Sequence, residues 1–156
     1  MEPEFDKYGK LVLENLAKCY DIEMTLIKGQ ILIEHLLDRF IESSIKNPSE
    51  FDRTRFTFSE KLQISLMLGL PVGIKDEITL IYKLRNQIAH KLSYDNKQLT
   101  SLLNKISKYQ KIHQEGMPLI IETRFAISFI CGVVYAAVMV NRPDFIPILD
   151  KELEGK

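Results

Sequence analysis

A run of 16 residues without a charged side chain, from Phe125 to Val140, constrains the fold more than any other feature of the sequence. As an α-helix this run is about 24 Å long, which is shorter than the roughly 30 Å hydrocarbon core of a membrane. Glu122 and Arg124 immediately precede it and would have to lie at the membrane surface. We therefore interpret the run as the central, fully buried helix of a soluble helical bundle, and we expect no membrane partner.

The rest of the sequence favours a single cytoplasmic domain over residues 1–156, because no linker, repeat or low-complexity tract divides it. A chain of this length, with 46% hydrophobic residues, can bury roughly 70% of its unfolded surface. The first ten residues, MEPEFDKYGK, contain no apolar signal core, so we do not expect secretion. Cys19 and Cys131 are too few for a disulfide framework, and we interpret both as small buried hydrophobic residues.

Apolar residues recur at spacings of three and four between the glycines and prolines, which is typical of amphipathic helices. We predict an all-α, up-and-down bundle of four or five main helices, with Ser59 as the N-cap of the third segment. Only residues 53–58 are weakly strand-like. The predicted helical segments are residues 5–18, 21–46, 59–70, 75–93, 100–110, 119–141 and a short tail helix at 145–153.

The predicted helix over residues 75–93 has one apolar and one polar face. Tyr82, Asn86 and His90 follow one another at spacings of four, so they form a polar stripe. Arg85 lies about 140° around the helix from His90, but its long side chain can swing back. The apolar face consists of four aliphatic residues: Ile81, Leu84, Ile88 and Leu92.

The heptapeptide LRNQIAH, which contains Arg85, Asn86 and His90, resembles the Arg-x4–6-His signature of HEPN domains. These are small all-α bundles found in prokaryotic toxins, antiviral effectors and RNA-processing enzymes. The order of the segments GQILIEHLLDRFI, FTFSEKLQISLMLGL and LRNQIAH is similar to the MltR-like (mannitol operon repressor-like) branch of that family. The resemblance covers roughly residues 21–92, nearly half of the chain.

Catalytically active HEPN members are metal-independent endoribonucleases that usually act as dimers. The resemblance therefore implies an RNA-cleaving site at a homodimer cleft, without a cofactor or metal ion. His90 would be the general acid or base for attack of a ribose 2′-OH on the adjacent phosphate, Arg85 would neutralise the transition state, and Asn86 would orient His90 or the phosphate. An imidazole titrates near neutral pH, and a guanidinium offers a planar fork of donors to a phosphate.

The charges are distributed unevenly, although 21 basic and 21 acidic residues balance overall. Residues 83–113 contain seven lysines and arginines but only one acidic residue, Asp95, whereas residues 1–23 contain six acidic and three basic residues. A local basic segment beside the motif suits a phosphate backbone, but it also suits a solvated face or a match to the acidic N-terminal segment. Tyr94 and Tyr109 either stack on bases or pack in the protein. The candidate RNA-binding residues are Tyr82, Lys83, Lys91 and Lys97.

Two further interpretations of the same residues remain open. Arg85, Asn86 and His90 could form a structural polar cluster in a non-catalytic MltR-like regulatory module, which would bind an antitoxin or another regulatory protein. A DNA-binding repressor is a third possibility, but no helix-turn-helix pattern supports it. His35 lies beside Glu34 without a second ligand at metal spacing, and the sequence contains no HExxH, CxxC, P-loop or GxGxxG motif.

Overall fold

The computed structural model describes residues 4–111 and 115–141, and this part of the chain contains helices but no strand. The all-α prediction is therefore confirmed, and the predicted tail helix at 145–153 lies outside the described residues. Three single-turn 3-10 helices lie in the connections, at Pro48–Glu50, Arg53–Arg55 and Val72–Ile74. The six α-helices are α1 (Glu4–Ala17), α2 (Ile22–Ser44), α3 (Phe58–Met67), α4 (Lys75–Lys91), α5 (Asn96–Ser107) and α6 (Leu119–Asn141).

The start of α3 differs from the prediction. Thr57, and not Ser59, is the N-cap, because Thr57 and Glu60 form a reciprocal capping box. The backbone N–H of Glu60 donates to the Thr57 hydroxyl at 3.3 Å, and the backbone N–H of Thr57 donates to the Glu60 carboxylate at 2.7 Å. The prediction that residues 53–58 are weakly strand-like is also wrong, because Asp52 caps a 3-10 turn at Arg53–Arg55.

The end of α4 differs from the prediction as well. Leu92 was predicted to extend the apolar stripe, but its side chain is 84% exposed. The helix ends at Lys91, and Leu92 adopts a left-handed conformation with φ 55° while its N–H donates to the Ile88 carbonyl. A residue in this conformation leaves the helical face, which takes Leu92 away from the core. α5 then begins four residues before the predicted Thr100, because the Asp95 side chain caps it.

The helices α2 and α6 form the centre of the bundle, and each is 23 residues long. They run parallel. Near their N-terminal ends Arg124 donates to the Cys19 carbonyl at 2.6 Å, and at their C-terminal ends Asn141 donates to the Ser44 hydroxyl at 2.9 Å. Between these ends the Ile127 side chain of α6 packs directly against the backbone of α2 at Gly29, where a Cβ atom would lie 2.5 Å from the Ile127 Cδ1. One continuous hydrophobic core contains buried residues from all six helices.

The prediction that α6 is fully buried is wrong for one of its faces. Its inner face packs on α2, but Phe125 is 44% exposed and Val140 is 85% exposed on the outer side. This outer face and Leu13 of α1 line an open apolar groove of about 420 Å³. By length and composition alone, α6 is the one described helix that could cross a membrane. The uniform apolar composition of the run indicated burial but not which side of the helix is covered.

Both cysteines are buried and form no disulfide. Burial raises the pKa of the Cys131 thiol to about 12, so almost none of it is thiolate at pH 8. We expect neither thiol of the folded protein to react with Ellman's reagent within minutes at pH 8, and both to react at once in denaturant. Rapid modification of Cys131 in the native protein, located by mass spectrometry, would contradict the packing of α6 described here.

Candidate functional site

The helix α4 exposes its polar stripe to solvent because its other face is held in the core. Ile81, Leu84 and Ile88 are buried, with exposed fractions of 6% or less, and α4 packs against α2, α3 and α5 through this side. On the opposite side Asn86 is half-buried and His90 is exposed. The predicted shared face of these two residues is thus present and accessible to a ligand.

The side chain of Arg85 reaches the same side of α4. Its Nη1 donates to the Asn86 Oδ1 at 3.2 Å, which draws the guanidinium around the helix toward the polar stripe. Among the described residues no carboxylate forms an ion pair with Arg85, so its remaining N–H donors are available to a phosphate. Arg85 is therefore in contact with Asn86 at the edge of the polar stripe.

The surface around His90 is a shallow, open depression of about 280 Å³. Its lining contains two ammonium groups, an imidazole and two amides but no carboxylate, which is a favourable environment for an anion. The lining residues are Lys83, Asn86, Gln87, His90 and Lys91. Lys83 and Lys91, both predicted to bind RNA, thus flank the motif. Lys83 lies one helical turn before Asn86, and Lys91 is adjacent to His90.

Gln87 is a site residue that the sequence interpretation missed. Its Nε2 donates to the Gln98 Oε1 at 3.1 Å, and its Oε1 accepts from the Asp95 N–H at 2.9 Å. Both polar atoms of the amide are therefore used to tie the last turns of α4 to the start of α5. Nothing in the helical periodicity pointed to this role, because the bonded partners are tertiary neighbours.

Two of the predicted RNA-binding residues lie outside the depression. Lys97 is exposed on the first turn of α5, where its backbone N–H donates to Asp95. Tyr82 is half-buried and stacks on Phe58 of α3, with ring centroids 4.8 Å apart and an interplanar angle of 9°. The structure therefore groups Lys83 and Lys91 with Asn86 and His90, and it places Tyr82 at the α3–α4 contact. Arg85 does not line the depression and reaches it only through its hydrogen bond to Asn86.

The later lysines of the basic segment, Lys105, Lys108 and Lys111, do not surround the motif. The helices α4 and α5 are antiparallel, because Lys105 pairs with Asp76 at 3.6 Å and the Tyr109 hydroxyl donates to the Gly73 carbonyl at 3.2 Å. Asp76 lies 14 residues before His90, or about 21 Å along the helix. The later lysines thus belong to the opposite end of α4. Tyr109 stacks on Phe129, which favours its packing role, and Tyr94 is half-buried against the core.

A buried charge cluster between α2 and α3, formed by Glu34, Asp38 and Lys61, was also missed. The Lys61 Nζ lies 2.9 Å from the Glu34 Oε1 and 3.0 Å from the Asp38 Oδ1. Burial raises the pKa of Asp38, although the hydrogen bond and charge of Lys61 lower it. Burial disfavours the charged form of Lys61, but its hydrogen bonds to both carboxylates outweigh this and raise its pKa. The charged lysine therefore links α3 to two carboxylates of α2.

One turn further along α2, Glu42 pairs with two arginines. Its carboxylate lies 2.8 Å from the Arg39 Nη1 and 2.8 Å from the Arg53 Nε. Together with the cluster at Lys61, this pairs the three acidic side chains in the second half of α2, those of Glu34, Asp38 and Glu42, with cations. No group of three or more His, Cys, Asp or Glu residues in the described ranges could hold a metal. The sequence did contain a sign of this acidic face, because Glu34, Asp38 and Glu42 follow one another at spacings of four.

Comparison with known proteins gives no relative of this chain: no protein-family model, curated protein or solved structure matches it. The resemblance to HEPN domains therefore remains a prediction from the motif and its context.

Proposed function

We propose that this chain is a HEPN-like, metal-independent endoribonuclease whose site lies on the exposed C-terminal half of α4. The observation that carries the proposal is the composition of the surface around His90. Two lysines supply cations beside an accessible imidazole, and no carboxylate lies in the lining. Arg85 is hydrogen-bonded to Asn86, which is one of the lining residues. This combination suits a substrate that is a chain of phosphates.

The chemistry needs no cofactor. His90 accepts the proton of a ribose 2′-OH, the 2′-oxygen bonds to the adjacent phosphorus, and the P–O5′ bond breaks. The departing O5′ takes a proton from an imidazolium, which yields a 2′,3′-cyclic phosphate and a 5′-OH end. Arg85 donates to the phosphoryl oxygens as charge develops on them. Each chain supplies one imidazole at this surface, so we propose a homodimer in which the second copy supplies the acid. RNA is the proposed partner and the cytoplasm the proposed location.

The alternative is a non-catalytic MltR-like regulatory module that binds another protein, such as an antitoxin. One feature favours it. The depression is shallow, and Leu92 beside it exposes 84% of its side chain. An exposed leucine gains from burial against an apolar side chain of a partner protein, which the phosphate backbone of RNA does not offer.

The cleavage test uses total cellular RNA and short single-stranded oligoribonucleotides in excess EDTA. We expect the wild type to cut RNA into fragments with cyclic phosphate ends, because the proposed reaction needs no metal. His90→Ala should lower the rate about 10²–10⁴-fold through loss of acid–base catalysis, and Arg85→Ala should lower it about 10²–10³-fold through loss of charge stabilisation. Lys108→Ala, which removes an exposed cation at the far end of α4 and α5, should leave the rate unchanged.

Two outcomes contradict the proposal. Equal cleavage by the wild type and His90→Ala would assign the activity to another surface or to a contaminant. Absence of cleavage by the folded wild type on every RNA would favour the regulatory module. Circular dichroism spectra that match between variants would show that a lost rate is not a lost fold.

A further inference from the structure

A second pocket lies between α3 and α4, one helical turn closer to the N-terminus of α4 than the depression around His90. It measures about 170 Å³ and is better enclosed than the depression around His90. Its walls include the stacked rings of Phe58 and Tyr82, together with Leu62, Gln63, Lys75 and Thr79. Like the depression, its lining contains a lysine and no carboxylate.

The pocket and the depression belong to one surface. Thr79, Tyr82, Asn86 and His90 follow one another at spacings of three, four and four, so they share one face of α4. Thr79 and Tyr82 line the pocket, whereas Asn86 and His90 line the depression. The step from Tyr82 to His90 is about 12 Å along the helix axis. A single strand of a few nucleotides can therefore occupy both places at once.

The chemistry of the pocket selects a flat heterocycle. Phe58 is buried and lies flat against Tyr82, so the half-buried Tyr82 ring, together with leucine side chains, forms the apolar wall on which a base can stack. Gln63 offers one amide donor and one acceptor for a base edge, and the Thr79 hydroxyl, which donates to the Lys75 carbonyl at 2.8 Å, keeps its acceptor lone pairs. The exposed Lys75 ammonium at the rim suits the phosphate attached to such a base.

We propose that this pocket binds one unpaired base of a single-stranded RNA, a few nucleotides from the bond that is cut at His90. The proposal rests on the proposed ribonuclease function and makes it more specific. A base can enter the pocket only when it is free of a complementary strand, so the substrate is single-stranded RNA. Tyr82 then contributes to binding through the pocket wall and not through the depression.

The test uses a short single-stranded RNA that carries one 2-aminopurine and a 2′-O-methyl group on every ribose. This probe cannot be cleaved at His90, so its binding is measured whether or not the protein cuts RNA. We expect the wild type to quench the 2-aminopurine fluorescence on binding, because the base stacks on the aromatic wall. Thr79→Met fills the pocket and should weaken binding about tenfold and abolish the quenching. Lys75→Ala should weaken binding and lower its dependence on salt.

Thr100→Met is the matched control. Thr100 also lies on a helix and also donates to the carbonyl four residues earlier, at 2.9 Å, but it is exposed on α5 away from the pocket. This variant should bind and quench like the wild type. An unlabelled 2′-O-methyl duplex and adenosine monophosphate should each compete at least tenfold less well than the unlabelled single strand.

The pocket proposal fails if Thr79→Met binds and quenches like the wild type, if the duplex or the mononucleotide competes equally, or if the wild type does not bind the probe. Its failure is distinct from failure of the ribonuclease. A protein that binds the probe in the predicted way but cuts no RNA would keep the base pocket and lose the catalytic assignment. A protein that cuts RNA, and whose Thr79→Met variant binds the probe like the wild type, would keep the catalytic assignment and lose the base pocket.

Discussion

Replacing Lys61 by alanine is expected to lower the free energy of unfolding by about 3–5 kcal/mol, because it leaves two carboxylates without their cation. The Lys61 Nζ bonds to both Glu34 and Asp38, and the side chains of Lys61 and Asp38 are at least nine-tenths buried. Water can reach the Glu34 carboxylate, whose side chain is 33% exposed, but it cannot reach the Asp38 carboxylate without opening the contact between α2 and α3. Urea unfolding followed by circular dichroism measures the loss.

Lys105→Ala is the matched control for that variant. Lys105 also pairs with a carboxylate, that of Asp76, but at 3.6 Å and with both side chains partly in water. Exposed pairs contribute about 0–1 kcal/mol, so this variant should be nearly as stable as the wild type. A double variant, Lys61→Met with Asp38→Leu, should recover part of the loss, because it replaces the pair with apolar groups. Similar losses for Lys61→Ala and Lys105→Ala would contradict a buried ionic cluster.

The pH dependence of these variants has a defined sign. The pKa of Lys61 is raised in the folded state, so its stabilising charge is fully present below its ordinary pKa of 10.5 and is lost as the pH rises through the higher folded value. The pKa of Asp38 is raised by burial, so protonation favours the folded state as the pH falls toward its ordinary pKa of 3.8. The deficit of Lys61→Ala relative to the wild type should therefore shrink between pH 7 and pH 4.

Gly29→Val is the second substitution with a large expected effect, a loss of about 2–3 kcal/mol from overpacking. A Cβ at position 29 would lie 2.5 Å from the Ile127 Cδ1 and 2.9 Å from its Cγ2, and Ile127 is fully buried. The side chain of Ile127 has no space to withdraw, so α2 and α6 must separate. Thermal and urea unfolding should both report the loss, and Ile127→Ala should partly restore stability in the same chain.

Gly132→Ala provides the control with the opposite sign. Gly132 lies on α6, and nothing comes within 4 Å of a Cβ built there. Alanine at this position should raise stability by up to about 1 kcal/mol, because glycine is the poorer helix former. Stability that does not fall in Gly29→Val would show that α2 and α6 do not approach as closely as described.

The helices and the exposed stripe of α4 could be predicted from the sequence because both are local. Periods of three and four located all six described helices, and the spacing of four brought Asn86 and His90 to one face. The helix ends were less predictable, since each depends on one or two hydrogen bonds. The Thr-x-x-Glu pattern that begins at Thr57 is a sequence sign of a capping box, whereas the left-handed residue that ends α4 is Leu92 and not the glycine that usually occupies this position.

The charge cluster shows where local interpretation stops. Its acidic half, at spacings of four on α2, is visible in the sequence, but Lys61 is 27 residues away from Glu34 and its approach is a result of tertiary packing. The pairing of Gln87 with Gln98 and the pocket between α3 and α4 are of the same kind. In each case the partner is set by how the helices are arranged, which their apolar periods do not specify.

The parallel pairing of α2 with α6 also has a consequence for synthesis of the chain. The Ser43–Asn141 contact joins residues 98 apart in sequence, and the whole interface spans a similar separation. At translation rates of about 5–20 residues per second, α2 leaves the ribosome roughly 5–20 s before the helix that covers it. During that interval its apolar face must be shielded by α1, by α3 or by a chaperone. The centre of this bundle therefore cannot form until α6 has been synthesised.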